Sequence, residues 1–303
     1  MKRIFDYFFR KYLLKKTYML GLSHILNIRK NYDVISSISD VDYKIYSQFG
    51  EDGIIDFILR KLNIEKPKFI EIGVGDYTEC NSRFLFETRS AKGLIIDCLE
   101  NLSSKVSKNL KLWKGDLKIE EIFVNSENIM NILKKNSFQK DVDFFSLDID
   151  GIDYWIIKSL PTKFAKVAVI EYNPIFGHEH EVTVPNIEKF NRSSYHYSNL
   201  CYGMSLKALI NIMESKGFYF LGSNLRRNNA FFISKEFDKN IFFPNIKISD
   251  ISENVDCNIR ESRGVKGELT YLSGNDRIEK IRDCEIVDLE KNRKIKIKDL
   301  FKI

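Results

Sequence analysis

Residues 69–81 read FIEIGVGDYTECN: an apolar run carrying an acid, Glu71, that breaks into Gly73-Val74-Gly75-Asp76. A short β-branched run stopped by two glycines is a strand followed by a tight turn, and bare glycines let backbone approach a ligand closely. What the turn holds depends on the pattern around it.

Outward from this stretch, short apolar runs alternate with longer helical ones. Strands are expected at 68–74, 93–99, 142–149 and 166–173, with a short one near KLWKGD (111–116). Helices are expected at 53–64 and 81–88, near SSKVSKNL (103–110) and ENIMNILKK (127–135), and at 153–160 and 204–216. Strands joined by crossover helices make βαβ units and a mainly parallel sheet with helices on both faces. GFYFLGSN and NNAFFISK leave no room for a helix between them, so a hairpin closes the series and brings in an antiparallel strand.

The chain of 303 residues has five widely spaced cysteines and no Cys-x-x-Cys pair, which encodes neither a disulfide framework nor a zinc ribbon and suits a reducing cytosol. Residues 1–30 hold eight Lys/Arg against Asp6, while the whole chain carries +6, so the remainder is near neutral. That asymmetry argues against nucleic-acid binding by the body. It points to a basic, aromatic-rich N-terminal helix that packs on the domain, lies on an anionic membrane face or docks on a glycan-assembly partner. Charges scattered through its apolar stretch do not read as a signal peptide, and no run reaches the length of a membrane span.

A nicotinamide fold wants Gly-x-Gly-x-x-Gly; here Asp76, Tyr77 and Thr78 follow Gly75 and the third glycine is missing. An acid ahead of the first glycine, as Glu71 is, suits the amino-acid part of S-adenosylmethionine. Asp97, 22 residues beyond Gly75, closes the second strand, where a carboxylate accepts from both ribose hydroxyls. The terminal hairpin tips the balance toward the methyl donor.

YSQFGEDGIIDFIL, FIEIGVGDYTECNSRFL, DFFSLDIDGIDYWIIKSL, VAVIEYNPIFG, VTVP, YGMSLKALINIMESKGFYFLGSN and NNAFFISK together resemble bacterial methyltransferase-like proteins of the FkbM-related type, with ESRGVKGELTYLSGNDRI extending the likeness. The resemblance implies a Rossmann-like class I methyltransferase fold: a seven-stranded, mainly parallel sheet with a C-terminal antiparallel hairpin. Residues 46–237 would form that domain, with a helical extension at 1–45 and an appendage at 238–303, where KIKIKDLF alternates like an edge strand. It also implies O-methylation of a sugar, nucleotide-linked sugar or surface-polysaccharide (capsule) precursor in the cytoplasm, at or near the inner membrane face. Gln48, Gly50, Glu51 and Asp52 would lie over the cofactor, Glu71, Gly73, Gly75 and Asp97 beneath it, and Asp116 near the adenine. For SQFGEDG the alternative is a helix N-cap built on Ser47.

Methyl transfer to a hydroxyl needs alignment and removal of a proton of high pKa, by a base or with a divalent metal. Asp148 and Asp150 end a strand, and Glu171, Asn173, His178 and His180 follow the next. Asp148, His178 and His180 are the candidates for proton removal; Asp148, Asp150 and Glu171 form an oxygen set suited to Mg²⁺ or Mn²⁺. EKFNRSSYHYSNLCYG (188–203), rich in Tyr, Arg and Asn, suits a carbohydrate pocket. Two rivals stand: a metal-dependent glycosyltransferase using Asp148-x-Asp150, and a non-catalytic methyltransferase-like scaffold in glycan assembly.

Overall fold

Strand β1 (Lys68–Ile72) is apolar on both faces, and in the computed structural model it lies inside a seven-stranded sheet ordered β3-β2-β1-β4-β5-β8-β7. The structure describes residues 2–35, 37–238 and 261–301. Its other sheet strands are β2 (Lys92–Asp97), β3 (Asp116–Glu121), β4 (Phe144–Leu147), β5 (Val167–Glu171), β7 (Phe218–Ser223) and β8 (Asn229–Ser234). β8 runs antiparallel to both β5 and β7, and the remaining pairs are parallel. This is the expected mainly parallel sheet closed by a hairpin, a Rossmann-like methyltransferase fold.

Successive side chains of a strand face opposite sides, so each inner strand feeds two cores. Ile70, Ile72, Phe145 and Leu147 join one apolar cluster with the helices α5 (Ile129–Asn136), α6 (Asp153–Ser159) and α8 (Leu206–Ser215). Phe69, Ile95 and Phe144 join the other with α2 (Glu51–Lys61), α3 (Arg83–Arg89) and α4 (Leu102–Asn109). The long helix α1 (Lys2–Ile28) lays Tyr18, Leu22 and Ile25 on this second cluster. Its exit is fastened by Asp56 of α2, buried and bound to Arg29 (2.7 Å), Arg89 and the Tyr32 hydroxyl (2.8 Å). Among the described residues no helix is long and apolar enough to cross a membrane.

Two elements depart from expectation. KLWKGD forms a single 3₁₀ turn (Leu112–Lys114), and the strand begins only at Asp116. β3 is the sheet's edge, and DLKIEE is half-solvated and polar, so no apolar run marks it. In KIKIKDLF, only the first half is extended: β10 (Arg293–Lys296) is followed by the helical turn α10 (Ile297–Leu300). β10 pairs with β9 (Glu285–Asp288), which pairs in turn with β6 (Val182–Thr183), so the C-terminal segment is stitched to the loop following β5. Between them, α7 (Arg192–Tyr195) and α9 (Asn275–Lys280) are single short helices.

Candidate functional site

The tips of β1 to β5 and the start of β8 enclose a cavity of about 570 Å³. Its floor is the glycine turn after β1. Gly73 has φ +87° and a Cβ there would lie 1.6 Å from the Asp148 carbonyl oxygen, so only glycine lets the β1 and β4 loops meet. Gly75, at φ +53°, donates its amide to the Asp97 carboxylate (2.8 Å), whose other oxygen takes the Leu99 amide (2.9 Å). Glu71 is buried beneath the turn and accepts from the amides of Asn81 (2.7 Å) and Ser82 (2.8 Å), which fixes the entry to α3. Burial pushes its carboxyl up to about 7 despite those bonds. Glu71, Gly73, Gly75, Asp97 and Gln48 all line the cavity.

The other residues expected over the cofactor act at one remove. Asp52 is fully buried; its Oδ2 accepts from the amides of Ile45, Tyr46 and Ser47, which shapes the segment presenting Gln48. Burial raises its carboxyl to about 6. Ser47 Oγ also accepts from the Asp52 amide, but the N-cap of α2 is Gly50 and not Ser47, and it makes no side-chain cap. Glu51 turns inward and accepts from Asn224 (2.6 Å) and Asn229 (3.0 Å). Gly50, Glu51 and Asp52 do not line the cavity.

Asp116 is a correction. It opens β3 rather than closing it, at the end of the parallel strands opposite the cavity, and pairs with Lys92 at the start of β2 (2.9 Å). The tip of β3 is Glu121, whose carboxylate caps α4 through the amides of Asn101 and Leu102 (both 3.0 Å). The cavity wall there is Ile122, Phe123 and Val124, an apolar surface that no motif announced.

Asp148, Asp150 and Glu171 are brought together: each offers a carboxylate oxygen, and these oxygens lie within 4.8 Å of one another. Asp153, at the start of α6, shapes the loop by accepting from the amides of Ile149 (3.1 Å) and Gly151 (3.0 Å), with Asp150 held at φ +53°. Burial first, and then Asp150, pushes the Asp148 carboxyl well above its usual range; burial and Asp148 do the same to Glu171. Asp150 is raised by burial and lowered by Arg192, its ion-pair partner.

The histidines are not brought together with these acids. His178 and His180 follow the 3₁₀ turn Pro174–Phe176 and are absent from the cavity wall; the His180 ring packs edge-on against Phe301 at 5.0 Å. His196 is bonded to Ser198 Oγ (2.7 Å) and stacks beside Tyr197. From the 188–203 stretch, Phe190, Arg192 and Tyr202 do reach the cavity, with the Arg192 guanidinium 4.5 Å over the Tyr202 ring. Asn173, fully buried, sets this wall by donating to the carbonyls of Leu200 and Tyr202. Glu261, Asn228 and Asn229 complete it. Among the described residues, eight acidic side chains line the cavity and Arg192 is its single cation, a field that favours a positively charged ligand.

The chain is similar in fold to several solved structures. They include PhzM, a pyocyanin biosynthetic protein (14% identity, 58% of this chain and 52% of that one, TM-score 0.34). TehB from Haemophilus influenzae gives 13%, 65% and 67%, and 0.38. An S-adenosylmethionine-dependent methyltransferase from Clostridium acetobutylicum ATCC 824 gives 11%, 64% and 93%, and 0.39. The chain thus spans about half the length of PhzM. No curated protein matches it. The family profile described as "Methyltransferase FkbM domain" matches residues 13–220, from within α1 through the sheet to β7 and across every acid of the central cavity except Glu261. The chain therefore belongs to the FkbM methyltransferase domain family of S-adenosylmethionine-dependent methyltransferases.

Proposed function

We propose that the protein is an S-adenosylmethionine-dependent O-methyltransferase whose acceptor is a hydroxyl of a sugar, a nucleotide-linked sugar or a surface-polysaccharide precursor. The observation that carries this reading is the carboxylate trio Asp148, Asp150 and Glu171, placed beside the glycine turn in one cavity. In this reading Asp97 binds the ribose hydroxyls, Ile122, Phe123 and Val124 flank the base, and Glu71 orders the turn under the amino-acid part of the donor. The acidic field suits the sulfonium, a cation that becomes neutral on transfer.

Chemically, the acceptor oxygen attacks the methyl carbon in line, the carbon–sulfur bond breaks, and the hydroxyl proton leaves to a carboxylate. Asp148 is the proposed acceptor of that proton, because its raised pKa brings it closer to the proton it must take. The trio also fits a divalent cation: three hard oxygen donors converge, and in an octahedral shell at about 2.1 Å oxygens sit about 3 to 4.2 Å apart. Asp148, Asp150 and Glu171 would hold Mg²⁺ or Mn²⁺, which supplies acidification of a bound hydroxyl. Placed in the cytoplasm, such an enzyme would use α1, with Tyr12, Leu13 and Leu20 exposed, to dock at an anionic membrane face.

The deciding experiment is calorimetric titration with S-adenosylhomocysteine, with and without Mg²⁺ or Mn²⁺, followed by methyl transfer from labelled S-adenosylmethionine to sugar acceptors. Binding without transfer to any hydroxyl acceptor would leave the donor and remove the O-methylation reading. Absence of binding by folded protein would remove both.

A further inference from the structure

Asn228 and Asn229 open β8 beside the carboxylate trio: Asn229 is the register partner of Glu171 on β5. Both are almost fully buried (1% and 4% exposed) and both line the cavity. The orientation of their amides is forced by their neighbours. Asn224 Oδ1 accepts from the backbone amides of Asn228 (3.1 Å) and Asn229 (3.2 Å), so its Nδ2 faces the other way. That Nδ2 donates to Asn228 Oδ1 (2.9 Å) and to Glu51 Oε1 (2.6 Å). Asn228 therefore turns its own Nδ2 away from Asn224. Glu51 accepts from Asn229 Nδ2 (3.0 Å), and a carboxylate facing that amide leaves Asn229 Oδ1 on the other side.

The result is one donor, Asn228 Nδ2, and one acceptor, Asn229 Oδ1, each buried and without a partner among the described residues. Buried polar atoms are nearly always paired, so an orphan donor and an orphan acceptor on two consecutive cavity-lining residues mark atoms that a ligand satisfies. A hydroxyl group is the complement: its hydrogen goes to one and a lone pair to the other. Location decides which ligand brings it. β8 lies four strand spacings, about 19 Å, from β2, where Asp97 stands, and is next to β5, which carries Glu171 of the trio.

We infer that Asn228 and Asn229 read a hydroxyl of the methyl acceptor, and that Glu51 with Asn224 acts as the clamp that aims them. The inference rests on the methyltransferase reading and adds to it a polar subsite that recognises a second, non-reacting hydroxyl. A polyhydroxylic acceptor such as a pyranoside satisfies both atoms, whereas an acceptor with one hydroxyl on an apolar skeleton leaves them unpaired and is rejected. Glu51 thus has a positioning role here, apart from the donor.

Asn228→Asp tests this, since it keeps an oxygen for Asn224 and replaces the donor with an acceptor. Asn228→Ser serves if a charge beside Glu171 prevents folding. Each protein is titrated with S-adenosylhomocysteine. The loaded protein is then probed by saturation-transfer NMR with the methyl glycosides of glucose, mannose, galactose, rhamnose and fucose. The expected result is cofactor affinity within about threefold of wild type and glycoside binding weakened about tenfold or more. Three outcomes overturn the inference: a tenfold loss of S-adenosylhomocysteine affinity, which assigns the pair to the donor; glycoside binding unchanged in the variant; or no glycoside binding by loaded wild-type protein. Failure of wild-type protein to bind S-adenosylhomocysteine strikes the methyltransferase reading instead.

Discussion

The Gly75 amide donates to the Asp97 carboxylate at 2.8 Å, so the turn after β1 is tied to the tip of β2 by the same side chain proposed to hold the ribose. Each carboxylate oxygen accepts one backbone amide and keeps a further lone pair for a ligand. One residue thereby sets both the shape of the turn and the chemistry above it.

Asp97→Ala should therefore separate binding from folding. Its bonds lie at a partly solvated rim, so the loss of stability is small, about 1 kcal/mol, while S-adenosylhomocysteine affinity falls at least about tenfold. Calorimetry alongside thermal unfolding checks this. Equal losses in affinity and in stability would reduce Asp97 to a purely structural tie.

The two glycines of the turn should respond differently to alanine. At Gly73 the new methyl meets the Asp148 carbonyl oxygen at 1.6 Å and the backbone is at φ +87°, so the β1 and β4 loops must separate at a cost of about 3 kcal/mol or more. At Gly75 nothing lies within 4 Å of the added carbon, and φ +53° costs only about 1 kcal/mol. Unfolding midpoints of the two variants give the comparison. A Gly73→Ala protein as stable as the Gly75→Ala protein would contradict the close approach.

The parts of the fold that were legible in sequence are those buried on both faces. KFIEI, GLIID, FFSL and VAVIE are continuous apolar runs because two cores flank them, and the acids ending or interrupting them, Glu71, Asp97, Asp148 and Glu171, fall at the cavity for the same reason. β3 was displaced by five residues because an edge strand has no apolar signature, and Asp116 was misplaced with it. Of the second sheet only the edge strand β10 showed, in the alternation of KIKI; the pairing of Val182 with Asp288 spans about a hundred residues and no local pattern encodes that register. His178 and His180 misled because neighbours in a loop need not face the same way. Asn228 and Asn229 stand where the turn passes into β8, a place where asparagine is ordinary; burial alone distinguishes them.

Stability should fall as pH rises from about 4 to about 7. Burial raises Glu71 from 4.5 to about 7 and Asp52 from 3.8 to about 6. A carboxyl whose folded pKa lies above its unfolded one contributes stability that is complete below the unfolded value and disappears as pH climbs past the folded value. The window is thus pH 3.8 to about 6 for Asp52 and 4.5 to about 7 for Glu71, with a change on the order of 3 kcal/mol for each group as an upper limit. Asp56 works in the opposite sense: burial raises it, but Arg29 and Arg89 outweigh burial and hold it below its usual range, so its contribution is lost only in acid. Glu71→Gln should flatten the decline between about pH 4.5 and 7 in thermal unfolding. A decline of unchanged slope would place the proton elsewhere.

The carboxylate trio gives the last prediction. Three acids whose oxygens lie within 4.8 Å repel one another once ionised, and of the three only Asp150 is ion-paired with Arg192. A divalent cation relieves that repulsion and binds the folded protein alone, so 5 mM Mg²⁺ or Mn²⁺ should raise the unfolding midpoint of wild-type protein by several degrees. Asp148→Asn removes one ligand charge and the repulsion together. It should stabilise the metal-free protein by about 1 kcal/mol, abolish the response to the cation and lower methyl transfer at least about a hundredfold. Differential scanning fluorimetry against metal concentration reads the first two effects, and labelled-methyl transfer reads the third. A variant that loses transfer but keeps the cation response would assign Asp148 to proton removal alone. A variant that loses the response but keeps transfer would assign it to the cation and leave proton removal to Glu171, whose carboxylate lies within 4.8 Å of it.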